Sequence, residues 1–289
     1  CETMGATTVI CTDKTGTLTQ NRMQVYESNF FALGGNSLTD DKMSMLVKEG
    51  IAVNATANLN REGGAVKTIG NPTEAALLLW LDKQGADYPP LRENAKVLSR
   101  LTFSTERKYM ATVVESPLLG KKVLYVKGAP EIVLANSNRI ELENGLFATV
   151  EEQAQSIENR LLEYQNMAMR TLGFAYQILD DDADIEPYEN GRLSGTDLIF
   201  LGFVAISDPV RADVPEAVKC CLDAGVDVKI VTGDTSGTAR EIGRQIGICD
   251  STTPGAAIIT GPEFEALSDD EAAKRVMALK IMCRARPMD

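Results

Sequence analysis

A short β-branched run, Thr7 to Thr12 (TTVICT), ends at Asp13 and opens into a polar loop, DKTGTLT. The run predicts a buried parallel strand. In an open α/β sheet, ligands bind in the crevice beyond the carboxyl ends of the strands, so Asp13 stands where such a fold does its chemistry. A second predicted strand, Val226 to Val231, runs into Thr232, Gly233 and Asp234. If the two strands are neighbours, a carboxylate nucleophile faces a threonine hydroxyl and glycine amides, with a helix N-terminus close behind. Backbone N–H groups and the helix dipole both favour an anion there, which describes a phosphate site. Taken alone, TGD reads as a turn plus a helix cap; DKTGTLT is what turns the pair into a site.

The rest of the chain must position these groups. It has 289 residues, and 29 Lys plus Arg against 41 Asp plus Glu give a formal charge of -12. The absence of histidine rules out histidine acid/base or metal chemistry. The length suits roughly two domains, each able to bury a core without disulfide or metal staples. No apolar run approaches the ~18 residues of a membrane span. The acidic balance argues against nucleic acid as a partner, because phosphate-backbone binders cluster Lys and Arg. The six cysteines (Cys1, Cys11, Cys220, Cys221, Cys249, Cys283) form no CxxC pair. Buried free thiols in a reducing cytosol are the expectation, and no secretory signal is visible. A first residue that is Cys rather than Met suggests a piece of something longer.

The chain changes texture twice. Near the end, Ala212 to Gly225 predicts a helix with Asp213 as N-cap and Pro215 in its first turn. After the strand at 226–231 come a helix (237–247), a strand (Ala256 to Thr260), a helix (268–279) and a strand (280–283). This alternation predicts a parallel sheet with helices on both faces. From about 24 to 206 the pattern is different. Met110 to Glu115 and Lys122 to Lys127 read as alternating strands of a hairpin, with Leu172 to Leu179 and Leu198 to Ile206 as two more strands. Ala154, Ile157, Leu161, Tyr164 and Ala168 share one helical face, and Asn71-Pro72-Thr73-Glu74 caps the helix AALLLWL. The acidic stretch DDDADIEPYENG lacks the glycine and terminal glutamate of a calcium loop and reads as solvated. The insert is therefore expected to be an α+β domain with an antiparallel sheet.

The string CTDKTGTLTQNRM, Cys11 to Met23, resembles the phosphorylation motif of P-type cation-transporting ATPases. FSTERKYM (Phe103 to Met110), KGAPE (Lys127 to Glu131), DPVR (Asp208 to Arg211) and TGD (Thr232 to Asp234) resemble further motifs of that family, in its order. The resemblance implies a haloacid-dehalogenase-like parallel sheet with helices on both faces, in two pieces (1–23 and 207–289), interrupted by a nucleotide-binding domain at 24–206. It also implies an integral membrane protein whose cytoplasmic face carries this portion, with an actuator domain, transmembrane helices and a transported cation as partners.

By the same resemblance, Asp13 accepts the γ-phosphoryl group of ATP. A carboxylate can attack phosphorus in line and form an acyl phosphate, splitting one hard hydrolysis into two steps. Charge neutralisation is implied to come from magnesium held by Asp13 and the backbone carbonyl of Thr15, with Lys14 nearby. Phe103 resembles the adenine-stacking residue. Lys108, Lys127 and Gly128 resemble the lining of the nucleotide pocket, and Arg170 resembles an arginine that contacts the phosphates. Glu74 resembles an acidic residue near the adenine pocket, and it is equally explained as the capping-box partner of Asn71. Asp208 and Arg211, at one of two hinge strands, are counted with the nucleotide-binding residues, and the other hinge falls near Asn21 to Met23.

The family's GDGxND loop and its preceding lysine do not occur, so the parallel sheet is expected to be incomplete and turnover by this polypeptide poor. Thr15 stands where soluble phosphatases of the haloacid-dehalogenase superfamily carry an acid/base aspartate. That substitution speaks against a free-standing phosphatase, one alternative reading; a non-catalytic nucleotide-binding module is another. Sequence details favour calcium as the cation, with a sodium/potassium-type pump as the alternative.

Overall fold

The computed structural model describes residues 6–34, 37–61, 66–180, 188–189, 192–193 and 197–286. The chain divides into two compact units: one holds residues 1–22, 166–169 and 208–289, the other residues 23–165 and 170–207. Parallel and antiparallel sheets both occur, giving a mixed α/β protein.

The first unit is built on a parallel sheet of four strands, in the order Val9–Thr12, Asp227–Val231, Ile281–Cys283, Ile258–Thr260. Residues alternate between its faces. Val228, Ile230 and Ile281 pack with Val218 of helix Val214–Asp223 and with Ala239 and Ile242 of helix Ser236–Gln245. Met282 and Ile259 meet Leu279, Phe264 and Leu267 on the other side. Asp213 stands at the N-cap of its helix as expected, but its side chain makes no cap hydrogen bond and pairs with Arg211 instead. The first strand is not buried as expected, since Val9 is 43% and Ile10 37% exposed. It is the outermost strand of the sheet among the described residues, so one flank has no neighbour.

The cysteines depart from expectation for the same kind of reason. Cys11 lies on that outer strand and Cys220 on the outward side of a helix whose one buried residue is Val218; both are exposed. Cys221 is half-buried, whereas Cys249 and Cys283 are buried as expected. Cys1 lies outside the described residues.

The second unit centres on an eight-stranded sheet. Its main path runs Lys96–Leu101, Tyr109–Ser116, Lys121–Gly128, Arg170–Leu179, Leu198–Ser207, Ser137–Glu141, Phe147–Thr149, and Gln24–Phe30 also pairs with Leu198–Ser207. All pairings are antiparallel except that of Leu198–Ser207 with Ser137–Glu141. Helices Lys42–Val53 and Pro72–Lys83 supply Leu46, Ile51, Leu77, Leu78 and Leu81 to the main core, with Trp80 at 8% exposure. Burying a side chain of this kind contributes roughly 1.5–3 kcal/mol. Helix Val150–Asn166 turns Ile157, Leu161 and Tyr164 inward, and Tyr164 meets Phe203 edge-on.

Two details differ from the sequence reading. Tyr109–Ser116 is buried almost continuously rather than in alternation, the pattern of a central strand covered on both faces. Ala168 lies beyond the end of its helix, with φ of 55°, so its helical phase with Tyr164 is not realised. Most of the acidic stretch 180–191 falls outside the described residues.

Candidate functional site

In the first unit the site grows from the parallel register. Thr12 pairs with Ile230, which brings the carboxyl end of the first strand, and Asp13 after it, alongside the strand that runs into Thr232. Beyond Asp13 the chain winds through a tight turn, Lys14–Leu18, in which Gly16 takes φ of 77° and the Thr19 amide closes on the Lys14 carbonyl at 3.1 Å. That left-handed step suits a residue without Cβ. Asp13 and Thr15 are exposed, while Lys14 is buried. Among the described residues no hydrogen bond is made to the Asp13 carboxylate, so its oxygens are available to a ligand.

Lys14 Nζ lies 2.5 Å from Asp234 Oδ2. This ion pair ties the loop after Asp13 to the TGD loop. Thr232, 3% exposed, donates its amide to the Met282 carbonyl, and its hydroxyl accepts the Asp234 amide at 3.2 Å. The amides of Ala285 and Arg284 donate to the Thr232 and Asp234 carbonyls, locking the loop from the far side. Thr235 caps helix Ser236–Gln245 by accepting the Thr238 amide. The helix N-terminus expected behind TGD is thus present.

Asp208 is held in this unit too. Its Oδ2 accepts the Thr19 hydroxyl at 2.6 Å and its Oδ1 accepts the Arg22 amide at 3.0 Å. Further backbone bonds join Gln20 to Pro209 and Arg211 to Leu18. Both carboxylate oxygens of Asp208 therefore serve the junction, and the Arg211 guanidinium faces Asp213 at 3.3 Å.

The remaining candidates lie in the second unit. Lys127, at 5% exposure, donates to Glu74 Oε1 at 2.6 Å. The other oxygen of Glu74 accepts the Thr56 amide at 2.7 Å, the Thr56 hydroxyl at 2.8 Å and the Ala57 amide at 3.1 Å. Asn71 caps helix Pro72–Lys83 by accepting from Thr73 and Glu74, but the Glu74 side chain does not return the bond. The capping-box alternative is therefore set aside: Glu74 is the counter-ion of a buried lysine. Burial pushes the Glu74 carboxyl up, and Lys127 with the Thr56 bonds more than reverses this, leaving it below its ordinary value. Burial pulls Lys127 below its ordinary value; Glu74 opposes the shift, and Arg100 and Arg92 add to it.

Around this pair the backbone is closely packed. A Cβ on Gly128 would sit 2.4 Å from the Lys108 carbonyl, which accepts the Ala129 amide at 2.9 Å. Lys108 takes φ of 60° and is exposed. Phe103 is 57% exposed in the segment that leads to it. Arg170 donates to the Thr73 hydroxyl at 3.3 Å, next to Glu74. The structure thus gathers Glu74, Lys127, Gly128, Lys108 and Arg170 around adjoining segments, with Phe103 on the loop before Lys108. Asp208 and Arg211 belong with Asp13. The pairs Lys127–Glu74 and Thr19–Asp208, 53 and 189 residues apart, leave no local sequence signal.

Magnesium prefers one or two carboxylates, its remaining positions going to water and substrate phosphate. The exposed Asp13 carboxylate, with no hydrogen-bond partner among the described residues, fits that demand. No group of three or more acidic or cysteine side chains among the described residues forms an all-protein cage.

A sequence model of the family described as "P-type ATPase, cytoplasmic domain N" matches residues 42–213. The chain is 36% identical over 297 residues to Calcium-transporting ATPase PAT1 of Dictyostelium discoideum, covering 100% of this chain and 26% of that protein. It is 34% identical to Calcium-transporting ATPase 9, plasma membrane-type, of Arabidopsis thaliana (100% and 28%). To Calcium-transporting ATPase 1 of Lactococcus lactis it is 32% identical (99% and 31%). The chain spans about a quarter to a third of the length of these relatives. No helix among the described residues is long and apolar enough to cross a membrane. With the family model covering more than half of its residues and relatives matching it from end to end, the chain belongs to the P-type ATPase family.

Proposed function

We propose that this chain is the nucleotide-binding and phosphorylation portion of an ATP-driven cation pump, with calcium the transported ion, as the names of its relatives suggest. In this reading the second unit, an inserted domain, binds ATP through Phe103, Lys108, Lys127, Gly128 and Arg170. The first unit is a haloacid-dehalogenase-like domain that presents Asp13. The observation that carries the proposal is the Asp13 carboxylate, exposed and without a hydrogen-bond partner among the described residues, at the carboxyl end of a parallel strand.

The chemistry follows from that placement. A carboxylate oxygen of Asp13 attacks the γ-phosphorus in line, a C–O–P mixed anhydride forms, and the bond from γ-phosphorus to the β,γ-bridging oxygen breaks, releasing ADP. Lys14, anchored by Asp234, supplies positive charge next to the nucleophile, and the Thr232 hydroxyl, which accepts the Asp234 amide, keeps its own proton to donate to the transferred oxygens. Magnesium, held by Asp13 and the Thr15 carbonyl, supplies charge neutralisation for the phosphates. Thr15 offers no carboxylate to activate water, so the phosphoenzyme persists long enough to drive a conformational cycle.

The test is acid-stable incorporation of γ-phosphate from labelled ATP into the longer protein that contains this sequence. Label lost in Asp13→Asn supports the reading. Undiminished label in that variant overturns it, and rapid turnover of p-nitrophenyl phosphate by the wild type would favour a phosphatase.

A further inference from the structure

Helix Tyr88–Asn94 lies outside every motif noted in the sequence, yet one of its side chains makes four hydrogen bonds to a single short segment. Arg92 Nε donates to the Ala52 carbonyl at 2.9 Å, Nη1 and Nη2 each donate to the Ala57 carbonyl at 3.1 Å, and Nη1 donates to Asn58 Oδ1 at 2.8 Å. Its guanidinium also lies 4.9 Å over the Tyr88 ring, whose hydroxyl accepts the Leu59 amide at 2.9 Å. Ala52 is in the last turn of helix Lys42–Val53, where carbonyls lack helical partners and a cation is favoured. Arg100 adds a bond to the Val53 carbonyl at 2.9 Å.

The segment that Arg92 clamps is the one that holds Glu74. Thr56 and Ala57 give three donors to Glu74 Oε2, and Glu74 Oε1 receives Lys127. We infer that Arg92 is a positioning residue for nucleotide binding: by fixing residues 52–58 it sets the Glu74 carboxylate and, through it, the direction of the Lys127 ammonium. Arginine suits the task because its planar fork addresses several acceptors at once, which a lysine cannot. Ala52 and Ala57 are 0% exposed, so removing the guanidinium strips two buried carbonyls of the donors that hold them and loosens the segment. The inference rests on the reading of Lys127 as a nucleotide-binding residue.

The experiment is a double-mutant cycle on the 289-residue chain, with ATP affinity measured by displacement of a fluorescent trinitrophenyl-ATP. Arg92→Met is expected to weaken ATP roughly tenfold, within the range by which neighbouring residues couple. On the Lys127→Met background the same change is expected to cost almost nothing further, because the group it positions is gone. Arg92→Lys, which keeps the charge and reaches one of the carbonyls, recovers part of the loss. Wild-type affinity in a folded Arg92→Met chain, or losses that multiply in the double variant, overturns the inference. Should Arg92→Met fail to fold, Arg92→Gln takes its place under the same criteria. Unchanged ATP affinity in both Lys127→Met and Phe103→Ala removes the nucleotide reading itself; losses there with none at Arg92 remove only the positioning role.

Discussion

The Thr19 hydroxyl donates to Asp208 Oδ2 at 2.6 Å across 189 residues of chain, and the same carboxylate accepts the Arg22 amide. One side chain thus joins the segment where the polypeptide leaves the first unit to the segment where it returns. Asp208→Ala removes the acceptor of the Arg22 amide and the nearer of two acceptors of the Thr19 hydroxyl, the other being the Lys14 carbonyl at 3.3 Å, and is expected to cost about 1–3 kcal/mol in urea unfolding. Asp208→Asn keeps one oxygen acceptor and should cost less. Equal losses in the two variants would contradict the clamp.

Glu74 and Lys127 are each under a tenth exposed, so removing one strands the other. Glu74→Ala is expected to destabilise by about 3–5 kcal/mol, the range for breaking a buried pair. The double variant Glu74→Leu, Lys127→Met should recover only part of that loss: it removes both desolvated charges, but the Thr56 and Ala57 donors still lose the Glu74 carboxylate. Thermal melts of the two variants beside the wild type test this.

Phe103 is more than half exposed, which separates its contribution to binding from its contribution to folding. Phe103→Ala is expected to lose about 1–3 kcal/mol of ATP binding, the range for one base stacked on an aromatic ring. Its melting temperature should stay close to that of the wild type. A large fall in stability with unchanged ATP affinity would make the ring a packing residue.

Gly128 and Gly233 make a matched pair. A methyl at Gly128 meets the Lys108 carbonyl at 2.4 Å and the Tyr109 backbone at 2.6 Å, whereas one at Gly233 meets only the Ala285 carbonyl at 3.7 Å. Gly128→Ala is expected to cost at least the 1–3 kcal/mol typical of overpacking. Gly233→Ala should fold with nearly wild-type stability. Chemical denaturation of both variants checks the contrast.

Glu49 gives a pH dependence with a definite sign. Burial raises its pKa, and the bond from the Tyr125 hydroxyl at 2.5 Å and a further one from Ser116 only partly offset this. The folded state therefore holds its proton to higher pH than the unfolded state does. Stability contributed by the protonated form is present below the ordinary glutamate value of about 4.3 and declines as pH rises through the raised folded value. In Glu49→Gln that decline should vanish, so the variant gains relative to wild type on going from acid to neutral pH. Parallel unfolding curves at all pH values would refute it.

The sequence carried the parallel strands clearly, because largely apolar runs such as Val228 to Val231, interrupted only by Lys229, end in turn residues and alternate with capped helices. Asn71 as a cap and the Lys121–Gly128 hairpin were equally readable from local chemistry. Partnerships were not. Glu74 looked like half of a capping box because its spacing from Asn71 is right, and only the fold brings Lys127 to it. Ala168 continued a helical period on paper, but the backbone turns left-handed there, and an alanine carries no warning of that. Arg92 gave no signal at all, since three of its four bonds go to main-chain carbonyls, and carbonyls are the same in every sequence.

The Lys14–Asp234 bridge makes two loops of the first unit mechanically one piece. Lys14 directly follows Asp13 and Asp234 closes the turn after the second strand of the sheet, so displacing either loop pulls on a charge pair whose lysine is buried. A change made on one of the two loops is therefore felt at the other, although more than two hundred residues of chain separate them.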